Sequence, residues 1–126
     1  MKYTLDKKEQ YTILELQEEK LDSGLAPLLK SEFVTFHAEG IRNLIMDLSK
    51  VQYADSSGLS ALLIANRLCK ELKGILVLVG LQPGLEKLVK ISQLTTILTI
   101  FPTIEEGVDA VFMHEIESKL SEDDTQ

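Results

Sequence analysis

Tryptophan is absent, cysteine occurs once and histidine twice in 126 residues. A single thiol cannot close an internal disulfide. Cys69 stands among apolar helix positions and reads as a small buried hydrophobe, compatible with the cytosol rather than a redox centre. One cysteine with His37 and His114 makes no metal-ligand spacing, so no metal is expected. No apolar run reaches the length of a membrane span and no signal-peptide pattern appears, so neither membrane insertion nor export is expected, and the cytoplasm is the expected location. Positive charge is also scarce: 13 Lys and Arg against 20 Asp and Glu, a net charge of −7. That balance argues against nucleic acid, whose phosphates require clustered cations, and against an anionic membrane surface.

What is present suffices for one folded unit. Apolar residues make up 44% of the chain, and the length suits a single domain with no linker and no internal repeat. Tyr3-Thr4-Leu5 and Tyr11 to Leu16 read as a strand pair around a polar turn. A polar loop from Glu18 to Gly24 leads to a helix over Leu25 to Ala38. Its apolar side is Leu25, Leu28, Leu29, Phe33 and Phe36, with Pro27 in its first turn and Gly40 as its stop. Ile41 to Leu48 reads as the most buried strand. Ile75 to Val79 is a continuous apolar run of the kind found in covered, parallel strands. A short helix carries Leu85, Leu88 and Val89, and Thr95 to Phe101 reads as an edge strand. Thr103 and Glu106 form a capping box that opens the last helix. The domain is expected over residues 1–117, and residues 118–126 read as an acidic, flexible tail.

One stretch stands out: Tyr53-Ala54-Asp55-Ser56-Ser57-Gly58-Leu59, between the buried strand and a long helix ending at Lys73-Gly74. Such turns commonly carry the chemistry of α/β proteins, and a helix start accepts anions well. Taken alone, the turn reads first as a helix cap, with Asp55 or Ser56 as the capping residue. At about 100° per residue, Gly58, Ala61, Leu62, Ala65, Leu68, Cys69 and Leu72 form the stripe facing the sheet. Ser56, Leu59, Ser60, Leu63 and Arg67 fall on the other side, and Ser57 points sideways. Leu59 and Leu63 are then expected as an apolar patch for a partner, with Ser56 inside it.

Asp55-Ser56-Ser57-Gly58-Leu59, after a strand and opening a helix, resembles the signature of STAS domains, and most of all that of bacterial anti-sigma factor antagonists. The resemblance covers about Lys2 to Met113. It implies an α/β fold: a single STAS-like domain with a mixed sheet of four or five strands flanked by about four helices. It also implies phosphorylation of the first serine of the motif, Ser56 rather than Ser57. The modifying partner would be both anti-sigma factor and serine kinase, and a serine phosphatase would reverse the reaction. The resemblance gives Asp22 a part in the same interaction, although Glu19 and Lys20 stand before Leu21-Asp22 where the family usually has a glycine. A cap role for Asp22 is the competing reading. The expected partner surface is Asp22, Asp55, Ser56, Ser57, Gly58, Leu59, Ser60, Leu63 and Arg67. The turn at Gly80 to Gly84 is expected beside it.

The expected role is a phospho-switched binding module that frees a sigma factor by holding its inhibitor. It needs no cofactor of its own and exists as a monomer or weak homodimer. The alternative is a STAS subunit of another assembly, a lipid-transport complex or a stress-signalling scaffold, using the same helix surface. An enzyme is not expected. A serine hydrolase requires a glycine two residues before its nucleophile and a usable histidine, and neither accompanies Ser56.

Overall fold

A computed structural model describes the backbone of residues 1–124 and the side chains of residues 1–121. The elements run β1 (Tyr3–Lys7), β2 (Thr12–Leu16), β3 (Lys20–Leu21), α1 (Ala26–Ala38), β4 (Asn43–Asp47), β5 (Tyr53–Ala54), α2 (Ser56–Glu71), β6 (Ile75–Val79), α3 (Pro83–Ile91), β7 (Thr99–Phe101) and α4 (Ile104–Asp124). Five strands form a mixed sheet in the order β1-β2-β4-β6-β7. The β1–β2 hairpin is antiparallel and every other pairing is parallel.

The central strands β4 and β6 carry apolar residues at consecutive positions because each of their faces is covered. Leu44, Met46, Leu76 and Leu78 face the larger core, where α1, α2 and α3 contribute Leu29, Phe33, Leu62 and Leu85. Ile45, Val77 and Val79 face α4, which contributes Val111. In β2, Thr12, Leu14 and Leu16 are buried and Ile13 and Glu15 are partly covered. That alternation suits a strand with one deep face.

The helix ends follow local chemistry. Pro27 and Pro83 sit in first turns, where the missing N–H costs nothing. Thr103 Oγ1 accepts from the Glu106 N–H at 3.2 Å, as the capping box requires. The end of α2 differs from expectation. Lys73, not Gly74, takes the left-handed conformation, at φ 62°. Gly74 is required for another reason: a Cβ there would lie 1.9 Å from the Arg42 carbonyl oxygen. Its N–H closes the helix on the Cys69 carbonyl at 2.8 Å.

Three further expectations are corrected. Leu28 is exposed, because only one side of α1 meets the core. The last strand is shortened to β7, since Ile97 and Leu98 donate back to the Leu94 carbonyl and make a turn. Of residues 118–126, expected as a flexible tail, 118–124 continue α4, and 125–126 lie outside the described residues.

Candidate partner-docking site

The site is built where two loops are laced together. The short strands β3 and β5 pair in parallel, Lys20 beside Tyr53 and Leu21 beside Ala54. The pairing continues past them, with the Asp55 N–H donating to the Leu21 carbonyl at 3.2 Å. Each strand leads into the same local sequence, Leu21-Asp22-Ser23 in one and Ala54-Asp55-Ser56 in the other. Each aspartate then accepts backbone N–H groups of the turn that follows it. Asp22 Oδ1 accepts from the N–H groups of Gly24 and Leu25 at 3.1 and 3.2 Å. Asp55 Oδ1 accepts from the Gly58 N–H at 3.0 Å and so caps α2. The other oxygen of Asp55 accepts from the Ser23 N–H at 3.2 Å, tying one turn to the other.

The cap reading holds for Asp55, whereas Asp22 closes the turn ahead of α1, whose own N-cap, Leu25, carries no side-chain hydrogen bond; the Asp55 cap is also what positions Ser56. With Asp55 extended at the N-cap, Ser56 is the first residue of α2 and stands exposed. Ser57 is half-buried. Among the described residues no side-chain hydrogen bond engages either hydroxyl, and the Ser56 and Ser57 N–H groups lie in the turn of α2 that has no intrahelical acceptors. A small anion on Ser56 would meet these donors and the positive end of the helix.

Gly58 and Leu59 do not belong to an outward surface. A Cβ on Gly58 would lie 2.2 Å from the Leu21 carbonyl oxygen, so glycine is needed for β3 to cross the first turn of α2. Leu59 is only 5% exposed and packs in the same core as Leu21 and Leu25. Its expected place on a docking face is corrected. The helix periodicity separates a sheet side from its opposite, but β3 and α1 lie against α2 as well and cover a second side. Asn66, two turns further on, is buried as well. Ser60 and Leu63 are half-buried, and Arg67 is exposed.

What remains outward around Ser56 is a polar surface with one aromatic. Tyr53, 54% exposed, stands on β5 directly before the motif, beside exposed Lys20. Its exposure on a strand was not apparent from the sequence, nor was the contact of Ser23 with Asp55. The one signal available was the repeated apolar-Asp-Ser triplet. The turn before α3 borders the same region: Gln82 Nε2 donates to the Ser49 carbonyl at 2.7 Å, in the loop that leads to β5.

The rest of the chain's reactive inventory is quiet. Burial pushes the Cys69 thiol up to about 12, so it stays protonated at neutral pH. His37 pairs with Glu71 at 3.1 Å, and His114 Nε2 lies 3.2 Å from the Lys73 carbonyl oxygen, both remote from Ser56 in the fold. Among the described residues no cluster of His, Cys, Asp and Glu could hold a metal ion, and no helix is long and apolar enough to cross a membrane.

Residues 2–107 match the model of the STAS domain family. A protein of Bordetella bronchiseptica, the candidate anti-sigma factor antagonist BtrV, is 32% identical over 102 residues, which cover 81% of this chain and 84% of that one. Solved structures share the fold. A candidate anti-sigma factor antagonist from Thermotoga maritima superimposes with a TM-score of 0.77 at 23% identity, covering 86% of this chain and 93% of the other. The Bacillus cell fate determinant SpoIIAA, in its phosphorylated form, superimposes with a TM-score of 0.66 at 21% identity, covering 87% and 99%.

Proposed function

The chain belongs to the STAS domain family, and on that premise we propose that it is an anti-sigma factor antagonist switched by phosphorylation of Ser56. Unphosphorylated, it holds an anti-sigma factor that is also its serine kinase, and so frees a sigma factor. Phosphorylated, it lets go, and a serine phosphatase resets it. ATP and catalysis belong to the partners, and the exchange takes place in the cytoplasm.

The observation that carries this reading is the Ser56 hydroxyl, exposed and unengaged at the first position of α2 beside an aspartate whose two oxygens are already committed. A kinase can reach it without unfolding anything. A phosphate there adds about −1.5 to −2 charge. Within this chain the charge meets a helix N-terminus and is tolerated or mildly favoured. In a packed interface the same charge must be desolvated without a partner, which costs several kcal/mol and lowers affinity by roughly a hundredfold or more. The switch is thus one of interface disruption, with the fold unchanged. Asp22, Asp55, Ser57, Ser60, Leu63 and Arg67 border or extend the surface on which it acts, with Tyr53 as an added aromatic contact.

The test is to incubate the chain with ATP and each anti-sigma kinase of its own genome, and to map phosphate by mass spectrometry. Phosphate on Ser56, none on Ser56→Ala, and loss of kinase binding afterwards are the expected results. Phosphate retained on Ser56→Ala, or a phosphorylated chain that binds as tightly as before, would sink the assignment.

A further inference from the structure

The side of the sheet away from α2 carries a second surface. Between the edge of β6–β7 and α4 runs an open groove of about 480 Å³. Ile75 and Phe101 from the strands and Met113 from α4 supply its apolar lining. Glu106, Asp109 and Glu117 line it with carboxylates at helical spacing. The ion pairs formed among the described residues all lie elsewhere, so these three carboxylates have no cationic partner within that set. The apolar lining does not stop at the groove. Met113, Ile116 and Leu120 are 55%, 53% and 59% exposed and follow one another along one face of α4. A contiguous apolar stripe edged by charge is the form of an interaction surface rather than of scattered exposed leucines. This part of α4 also lies beyond residue 107, where the match to the shared domain ends.

The charge selects the occupant. A second copy would bring the same acidic edge against itself, and an anionic lipid or nucleic acid would be repelled. Lys119 lines an adjoining cleft with Lys70 and Lys73 that shares His114 and Glu117 with the groove, but among the described residues none of these lysines forms an ion pair with Glu106, Asp109 or Glu117. We propose that the groove between β6–β7 and α4 receives a cationic amphipathic helix of a partner protein, its apolar side on Met113 and Ile116 and its lysines or arginines on Asp109 and Glu117. Helix-in-groove docking of this kind reads apolar anchors at i, i+3, i+4 and i+7 and sets register by charge. Because the surface lies on α4 and not at the start of α2, it can be filled while Ser56 is engaged.

The experiment is a titration of the isotope-labelled full chain, followed by amide NMR, with a synthetic leucine/lysine peptide that is amphipathic as a helix. A leucine/glutamate peptide of the same pattern and a scrambled leucine/lysine peptide serve as controls. Expected is saturable binding with shifts centred on Ile75, Phe101 and Met113. The double variant Asp109→Lys with Glu117→Lys should weaken it by about tenfold or more, Met113→Lys should do the same, and Ser56→Ala should leave it unchanged. All of the substituted side chains are exposed, so the variants fold. Absence of binding, shifts centred elsewhere, or equal binding of either control peptide would overturn the proposal. So would sedimentation of the free chain as a dimer that Met113→Lys dissolves, since the occupant would then be a second copy.

Discussion

The two ends of α2 are pinned in the same way and finished differently. At its start Gly58 lies flat on the Leu21 carbonyl, and just past its end Gly74 lies flat on that of Arg42. Beyond the glycines the resemblance stops. At the far end Asn43 is buried, and its amide donates to the Gln10 carbonyl at 2.9 Å and to Glu115 at 2.8 Å, while its oxygen accepts from the Ile75 N–H at 3.1 Å. Arg42 reaches the other Glu115 oxygen at 2.7 Å and the Lys73 carbonyl at 3.2 Å. Four segments are closed over one another by a satisfied polar network. At the near end Asp55 closes two turns and then the network ends, with Ser56 left facing out. A polar cluster that is fully partnered locks a fold together. A polar group deliberately left over at a helix start remains free for another molecule.

That contrast can be broken from either side. The largest effect is expected from the glycines. Gly58→Ala and Gly74→Ala each force a methyl into backbone, and each should cost about 3 kcal/mol or more by urea unfolding. A tolerant response at one end would mean that its strand is free to move aside. Asn43→Ala comes next. It strips the network of its centre and leaves the Ile75 N–H and a carboxylate oxygen short of partners, for a loss of about 2–3 kcal/mol. Asp55→Ala removes a cap and the link to Ser23, and should cost about 1–2 kcal/mol while impairing phosphorylation of Ser56 more than it impairs the fold.

The smallest effect concerns protons. The Asn43 amide, and after it the Arg42 guanidinium, hold the Glu115 carboxyl below the usual carboxylate range against the opposing effect of burial. A carboxyl lowered in the folded state contributes stability that is present above its unfolded value and is lost as pH falls through the folded one. Unfolding midpoints should therefore decline from neutrality into acid, and Glu115→Gln should flatten part of that slope. An unchanged slope would mean that the network holds without the charge.

The order of the helices and of the five strands of the main sheet was legible because each announces itself by its own period. The double-sided burial of β4 and β6 reads as a continuous apolar run, the helices as stripes, and the starts of α1, α3 and α4 as Pro or Thr. The motif at Asp55 to Gly58 was legible too, by its likeness to a known family. The surroundings of Ser56 were not. A strand of two residues has no period to display, so the β3–β5 pairing left no pattern, and without it the burial of Leu59 and the link from Ser23 to Asp55 could not be foreseen. Gly58 was read as part of a docking surface, when its lack of a side chain is what lets the two loops cross.

The lacing of β3 to β5 bears on how Ser56 can be recognised. The aspartate beside it is oriented by a backbone group 32 positions away in the chain. A linear peptide copying Tyr53 to Ser60 would carry the same letters without that orientation, and without Lys20 beside Tyr53. A kinase that reads this surface as a shape would ignore such a peptide, and would ignore the nascent or misfolded chain as well. Only molecules that have completed their fold would enter the phosphorylation cycle, so the pool of switchable protein would count folded copies alone.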